Sequence, residues 1–205
     1  MGLFFVDLLR NPPAVAEVVT GKLKGMFEKY EGPDALAAYP LVPIQVLQNA
    51  ARGSSLTFSP ERMDYAYYRV GGNEINFERF INDAIMIARE VTACKPIGRV
   101  GLVASMFDAK DNPSDNILKK YFKLKCSKNT QEVMFRTNSK KHYKKMLINN
   151  ITSVEAVNNI LLDETSQQGI VVVRDINCEF NPSGISYDFV CGFIKDHKQD
   201  LLNYY

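Results

Sequence analysis

Between Phe77 and Val91, the apolar residues Phe77, Phe80, Ile81, Ala84, Ile85, Ala88 and Val91 recur at the i, i+3, i+4, i+7 spacing of one helical face. Glu78, Arg79, Asp83 and Arg89 occupy the opposite face. A stripe of this kind has to be buried against another surface. The spacing predicts a helix over about Asn76 to Thr92. The segments beside it carry the other period. Ile97 to Phe107, after Pro96, reads as a buried strand, and Met63 to Val70 alternates aromatic and polar residues as a strand does. One apolar helix stripe beside several strands predicts an α+β chain: a twisted antiparallel sheet with amphipathic helices packed on one face.

The rest of the chain fits that class. Leu3 to Leu9 reads as a first strand or a short extended arm. Asn11-Pro12-Pro13 then offers a cap and helix-starting prolines, and the apolar spacing from Val15 to Tyr30 predicts a helix of about sixteen to eighteen residues, weakened by Gly21 and Gly25. A split at the two glycines into a short helix and a strand is the alternative. Leu41–Leu47, Ser55–Phe58 and Met63–Val70 predict two or three antiparallel strands, closed by the turn Gly71-Gly72-Asn73. Asp108 to Asp115 reads as a polar loop, with Ser114 capping a short helix through Phe122. Strands are expected at Glu132–Thr137, at Lys144–Ser153 and, most strongly, at Gly169–Asn177. A last helix runs from Ile185 to the end of the sequence. A chain of 205 residues can build a core without disulfides, and a single domain over 1–205 is expected, with 1–34 as an N-terminal arm and helix.

Charge is uneven. The net charge is +2, yet residues 119–145 hold ten Lys or Arg against the single acid Glu132. Such a block attracts an acidic partner or a phosphate backbone unless it is a solvated or internally compensated face. Nine of the ten cations are Lys, whereas base readout and bidentate phosphate capture favour Arg.

Catalytic patterns are missing. Cys94, Cys126, Cys178 and Cys191 form no Cys-x-x-Cys pair, and with only His142 and His197 no zinc spacing arises. Scattered cysteines read as free thiols in a reducing compartment. Gly71-Gly72 and Gly98-x-x-Gly101 match no phosphate loop. Cys191 and His197 are six residues apart, on different faces of one helix. Asp108, Asp111 and Asp115 lack the glycine and glutamate of a calcium loop, and Asp163-Glu164 is an isolated pair. No metal, no cofactor and no catalytic residue is assigned. No apolar run reaches the ~18–20 residues of a membrane span, and the N-terminus lacks a signal-peptide pattern; Val6 also stands where a myristoylation pattern has serine or threonine. A cytoplasmic protein without a membrane partner is expected.

Val171-Val-Val-Arg-Asp-Ile-Asn177, followed by a polar turn and a helix carrying Tyr187-Asp-Phe189-Val and Phe193-Ile194, forms a pattern with the earlier helix and Ile97-Gly-Arg-Val-Gly-Leu-Val103. Together these segments resemble the SecB-like fold group of bacterial and phage proteins, over residues 55–200 in outline. The resemblance implies a twisted antiparallel sheet with helices on one side, and binding of unfolded chains or partner proteins, in some members beside toxin–antitoxin or phage-defence modules. It also implies dimers or tetramers. The N-terminal helix and the slightly basic charge set this chain apart from the general secretion chaperone of that group.

Two functions follow as expectations. The first is a non-catalytic protein-binding module that takes a partner or an unfolded client on an exposed sheet face or an open edge, with Tyr65, Tyr67 and Tyr68 as the partner-binding set. The second is nucleic-acid binding, with Lys119, Lys120, Lys140, Lys141, Lys144 and Lys145 on phosphates and Tyr121, Phe122 or Tyr143 stacking on bases.

Overall fold

The computed structural model describes residues 1–23, 26–29, 44–69, 75–125, 130, 132–162 and 165–203. Its architecture is α+β, an antiparallel sheet with helices against one face. Contacts group the chain into two compact units, Met1–Gly101 with Cys178–Lys198, and Leu102–Asn177 with Gln199–Tyr205. Each is described on its own.

The first unit holds β1 (Gly2–Phe5), α1 (Pro12–Lys22), β2 (Glu28–Lys29), β3 (Gln45–Asn49), β4 (Ser54–Phe58), β5 (Arg62–Tyr67) and α2 (Phe77–Cys94), with the start of β6 (Ile97–Ala109). Its strand order is β2-β3-β4-β5-β1-β6. The leading segment is therefore an inner strand, not an arm. Residues directly opposite in an antiparallel ladder share a face. The register lines up Leu47, Leu56 and Tyr65 in one row, and Phe58, Met63, Leu3 and Val100 in the next. All seven are buried. On the reverse face Phe4 lies between two guanidinium groups, Arg62 at 5.4 Å and Arg99 at 5.0 Å from its ring centre.

Helices α1 and α2 each begin at an asparagine cap. Asn11 Oδ1 accepts from the Ala14 N–H at 3.2 Å, and Asn76 Oδ1 accepts from the Arg79 N–H at 2.9 Å. Helix α2 buries Phe80, Ile81, Ala84, Ala88 and Val91 of the predicted stripe. Ile87 joins them, Phe77 and Ile85 stay half-buried, and Asp83, expected on the opposite face, is buried and accepts from the Tyr65 hydroxyl. Helix α1 is shorter than expected. It stops at Lys22, and Met26 and Phe27, which matched the helical spacing, are buried in the segment that leads into β2. The outcome is closer to the split at the glycines. Gly71-Gly72-Asn73, Val70 and Leu41 to Pro43 lie outside the described residues.

The second unit has the strand order β6-β9-β8-β7, with β7 (Met134–Tyr143), β8 (Met146–Leu162) and β9 (Thr165–Cys178). Helix α3 (Pro113–Ile117) continues into a π-helical turn at Leu118–Phe122. Its Ile117 packs into a small core with Val154, Ala156 and Val172. Ser114 is not the cap. Asn112 occupies that position with a left-handed φ of 51°, and Asn116 Nδ2 closes the start by donating to the carbonyls of Asp111 and Asn112 at 2.7 and 3.1 Å. Asp108 belongs to β6 rather than to the loop, because the strand runs on to Ala109. Helix α4 (Tyr187–Leu202) starts in the first unit and ends in the second.

A departure with energetic content sits between β7 and β8. A strand was expected from Lys144, but Lys144 and Lys145 form the hairpin turn, with φ of 45° and 69°. Two consecutive positive φ values fit the type I′ geometry, where Asn-Gly is preferred and L-residues with a Cβ are strained. Replacing the pair by Lys144→Asn with Lys145→Gly is expected to stabilise the protein by about 1–2 kcal/mol. A thermal melt should show the transition roughly 3–6 °C higher; an unchanged or lower midpoint would mean that the lysines are not strained there.

Candidate interaction site

The β7–β8 hairpin carries most of the described basic segment. Its ladder runs without a register shift from Met134 opposite Glu155 to Tyr143 opposite Met146. β7 ends the strand order, so its second edge pairs with no strand among the described residues. Strand alternation sorts its side chains. Phe135, Thr137, Ser139, Lys141 and Tyr143 share the face of Val154 and Ile148, where α3 and the end of α4 pack. Met134, Arg136, Asn138, Lys140 and His142 take the other face. From Arg136 to His142 every side chain is exposed.

Amides link the strands on that second face. Asn138 donates to Asn149 at 3.1 Å, Asn149 to Asn177 at 3.1 Å, and Asn177 to Asp175 at 2.8 Å. On the helix side Arg174 donates to the Asp200 carbonyl at 3.3 Å and to the Thr152 hydroxyl.

The predicted phosphate-binding cations are not equivalent. Lys119 is paired with Asp115, and Lys141 with Asp200 at 3.0 Å. Lys120 lies over the Tyr121 ring at 5.3 Å, and Lys144 over Tyr143 at 5.1 Å. Arg136, Lys140 and Lys145 are exposed and make no ion pair among the described residues, although Glu155 lies diagonal to Arg136 on the same face. Internal compensation thus covers part of the block. Beside it Tyr121 and Phe122 pack on Phe135, with ring centres 4.6 and 5.7 Å away. Phe122, Leu124 and Met134 remain largely exposed, Met134 at 67%. The exposure of Met134 and Leu124 escaped sequence reasoning, which singled out only the two aromatics.

The tyrosines of β5 do not form one surface. Tyr65, expected in the partner-binding set, is 1% exposed. Alternation points it into the core, where its ring stacks on Phe80 at 5.5 Å and meets Phe27 edge-on at 6.1 Å. Its hydroxyl donates to Asp83 Oδ2 at 3.2 Å, and burial together with that carboxylate pushes the phenol pKa up. Tyr67 is half-buried against Phe80, and Tyr68 is 44% exposed.

Groups that carry chemistry elsewhere are committed to structure. The His197 ring is buried, 3.0 Å from the Phe193 carbonyl through Nδ1, and lies against the Phe193 ring. Asp108 pairs with Lys110, Asp111 accepts from Gln168, and Asp115 holds Lys119. Among the described residues no group of three or more His, Cys, Asp or Glu side chains could hold a metal ion. Asp163-Glu164 and Cys126 lie outside the described residues. No helix among the described residues is long and apolar enough to cross a membrane. A cleft of about 370 Å³ in the first unit is lined by Arg89, Thr92, Lys95, Ser186 and Tyr187 among others. Ser186 is occupied as the cap of α4, its Oγ accepting from Phe189 N–H at 3.1 Å, and the Tyr187 phenol is pushed up by its hydrogen bond with Cys191 and by burial.

Cysteine accessibility gives a check on this arrangement. Cys178 is buried, and desolvation raises its thiol pKa despite the Val100 N–H that points at its sulfur from 3.4 Å. Cys94 and Cys191 are half-buried. In a Cys126→Ser background, a thiol reagent at pH 8 is expected to label two sites in the native protein and the third only after denaturation. Fast labelling of Cys178 would contradict its burial.

No protein-family model, curated protein or solved structure matches this chain.

Proposed function

We propose that this protein is a non-catalytic binding module that takes an extended segment of a partner protein as an added strand on the open edge of β7. The observation that carries the reading is the edge itself: a long terminal strand, regular in register, with side chains exposed on both faces from Arg136 to His142. Arg136, Lys140 and Lys141 guard such an edge against indiscriminate pairing, but its backbone, unpaired on the outer side among the described residues, leaves it a template for a strand of complementary charge. The SecB-like resemblance gives the reading a more specific form, a chaperone-like or accessory protein whose partner is an unfolded client.

A second reading, nucleic-acid binding, rests on a different observation. Tyr121 and Phe122 are exposed rings set among Lys119, Lys120, Lys123 and Lys125, the composition of a stacking platform with backbone cations. The deciding experiment is native mass determination of the protein from its own host, with and without nuclease, at two salt concentrations. A stoichiometric protein partner that survives both treatments is the expected result. Co-purifying nucleic acid that leaves at high salt would overturn it in favour of the second reading, and a bare monomer would count against both.

A further inference from the structure

We infer that the segment received by β7 is acidic, with carboxylates facing Arg136 and Lys140 and a bulky apolar residue facing Met134; this inference rests on the strand-addition reading above. An added strand places its residues directly across from those of β7, on the same face. On the face that the helices leave open, those β7 residues are Met134, Arg136, Asn138, Lys140 and His142. Arg136 and Lys140 stand four positions apart with Asn138 between them, and neither makes an ion pair among the described residues. The one acid of β8 on this face, Glu155, stands opposite Met134. The covered face shows the complement already in use, since Asp200 from α4 holds Lys141 at 3.0 Å. At the other end, Met134 is highly exposed on this face.

Self-pairing is disfavoured in the register symmetric about Asn138. Antiparallel pairing of two β7 strands about Asn138 would set Arg136 against Lys140 twice, and like charges directly opposite destabilise a sheet. In that register the cations repel a copy, whereas an acidic strand meets them with the opposite charge.

The test uses the full chain and a synthetic peptide of about nine residues, Glu alternating with Thr and ending in Leu, beside its Lys-for-Glu counterpart and oligo-dT. Affinity is read by fluorescence anisotropy, and strand addition by protection of β7 backbone amides in hydrogen exchange. The acidic peptide is expected to bind, to protect alternate β7 amides, and to bind at least about tenfold more weakly to Arg136→Glu/Lys140→Glu, whose exposed sites leave the fold intact in a melt. Equal binding and protection by the Lys peptide would overturn the acidic assignment while leaving strand addition standing. Binding of the acidic peptide without β7 protection, or no binding by either peptide, would overturn strand addition and the inference with it. Displacement of the acidic peptide by oligo-dT with a steep salt dependence would overturn the peptide assignment in favour of nucleic acid.

Discussion

Tyr65→Ala is expected to lower the stability of the protein by about 4 kcal/mol, the usual cost of deleting a fully buried aromatic ring. The ring fills the space between Phe27, Phe80 and the sheet, and its neighbours are held by other contacts, so the cavity closes only in part. The truncation also removes a hydroxyl donor from Asp83, which is itself buried. Tyr65→Phe separates the two effects. It keeps the ring and loses the hydrogen bond, for about 1–3 kcal/mol. Tyr68→Ala, on an exposed ring next to the end of the same strand, is expected to stay within about 0.5 kcal/mol. Chemical denaturation of the three variants checks the ranking. A Tyr65→Ala protein as stable as Tyr68→Ala would return Tyr65 to the surface.

Gly169→Ala is expected to cost about 2–4 kcal/mol, for the opposite reason. A Cβ at Gly169 would lie 2.4 Å from the Asp108 carbonyl oxygen and 2.6 Å from the Phe107 ring. The ring could turn, but the carbonyl belongs to the backbone of β6 and can move only with its strand. Gly21 is the control. It sits inside α1 with nothing within 4 Å of the added methyl, so Gly21→Ala should stabilise by up to about 1 kcal/mol through helix propensity. Melting the two variants side by side should give shifts of opposite sign. A neutral Gly169→Ala would mean that β6 and β9 can part at this point without loss.

These residues also mark how far the sequence could be read. Helix α2 and the strands β6 and β9 were legible because a stripe or an apolar run states its own burial. Helix α1 was over-extended because Met26 and Phe27 satisfy a helical period by chance, and their burial comes from the fold beyond Lys22. The three tyrosines share a residue type; Tyr65 and Tyr67 lie on the core face of β5 and Tyr68 falls just past its end, and no local pattern tells them apart. The lysine block was visible as charge. Its compensation was not, because the acid that holds Lys141 lies 59 positions away in α4. The open edge of β7 depends on strand order, which no local pattern encodes.

The place of β1 has a consequence in time. Leu3 pairs with Met63 on one side and Val100 on the other, so a strand made early stands between two made much later. At ribosomal rates of roughly 5–20 residues per second, Leu3 and Phe5 wait on the order of 5–20 s before β6 exists to cover them. During synthesis the nascent chain therefore displays an apolar strand whose second edge is unpaired, and slowing elongation before Ile97 would lengthen the exposure of that edge to chaperones or to neighbouring chains.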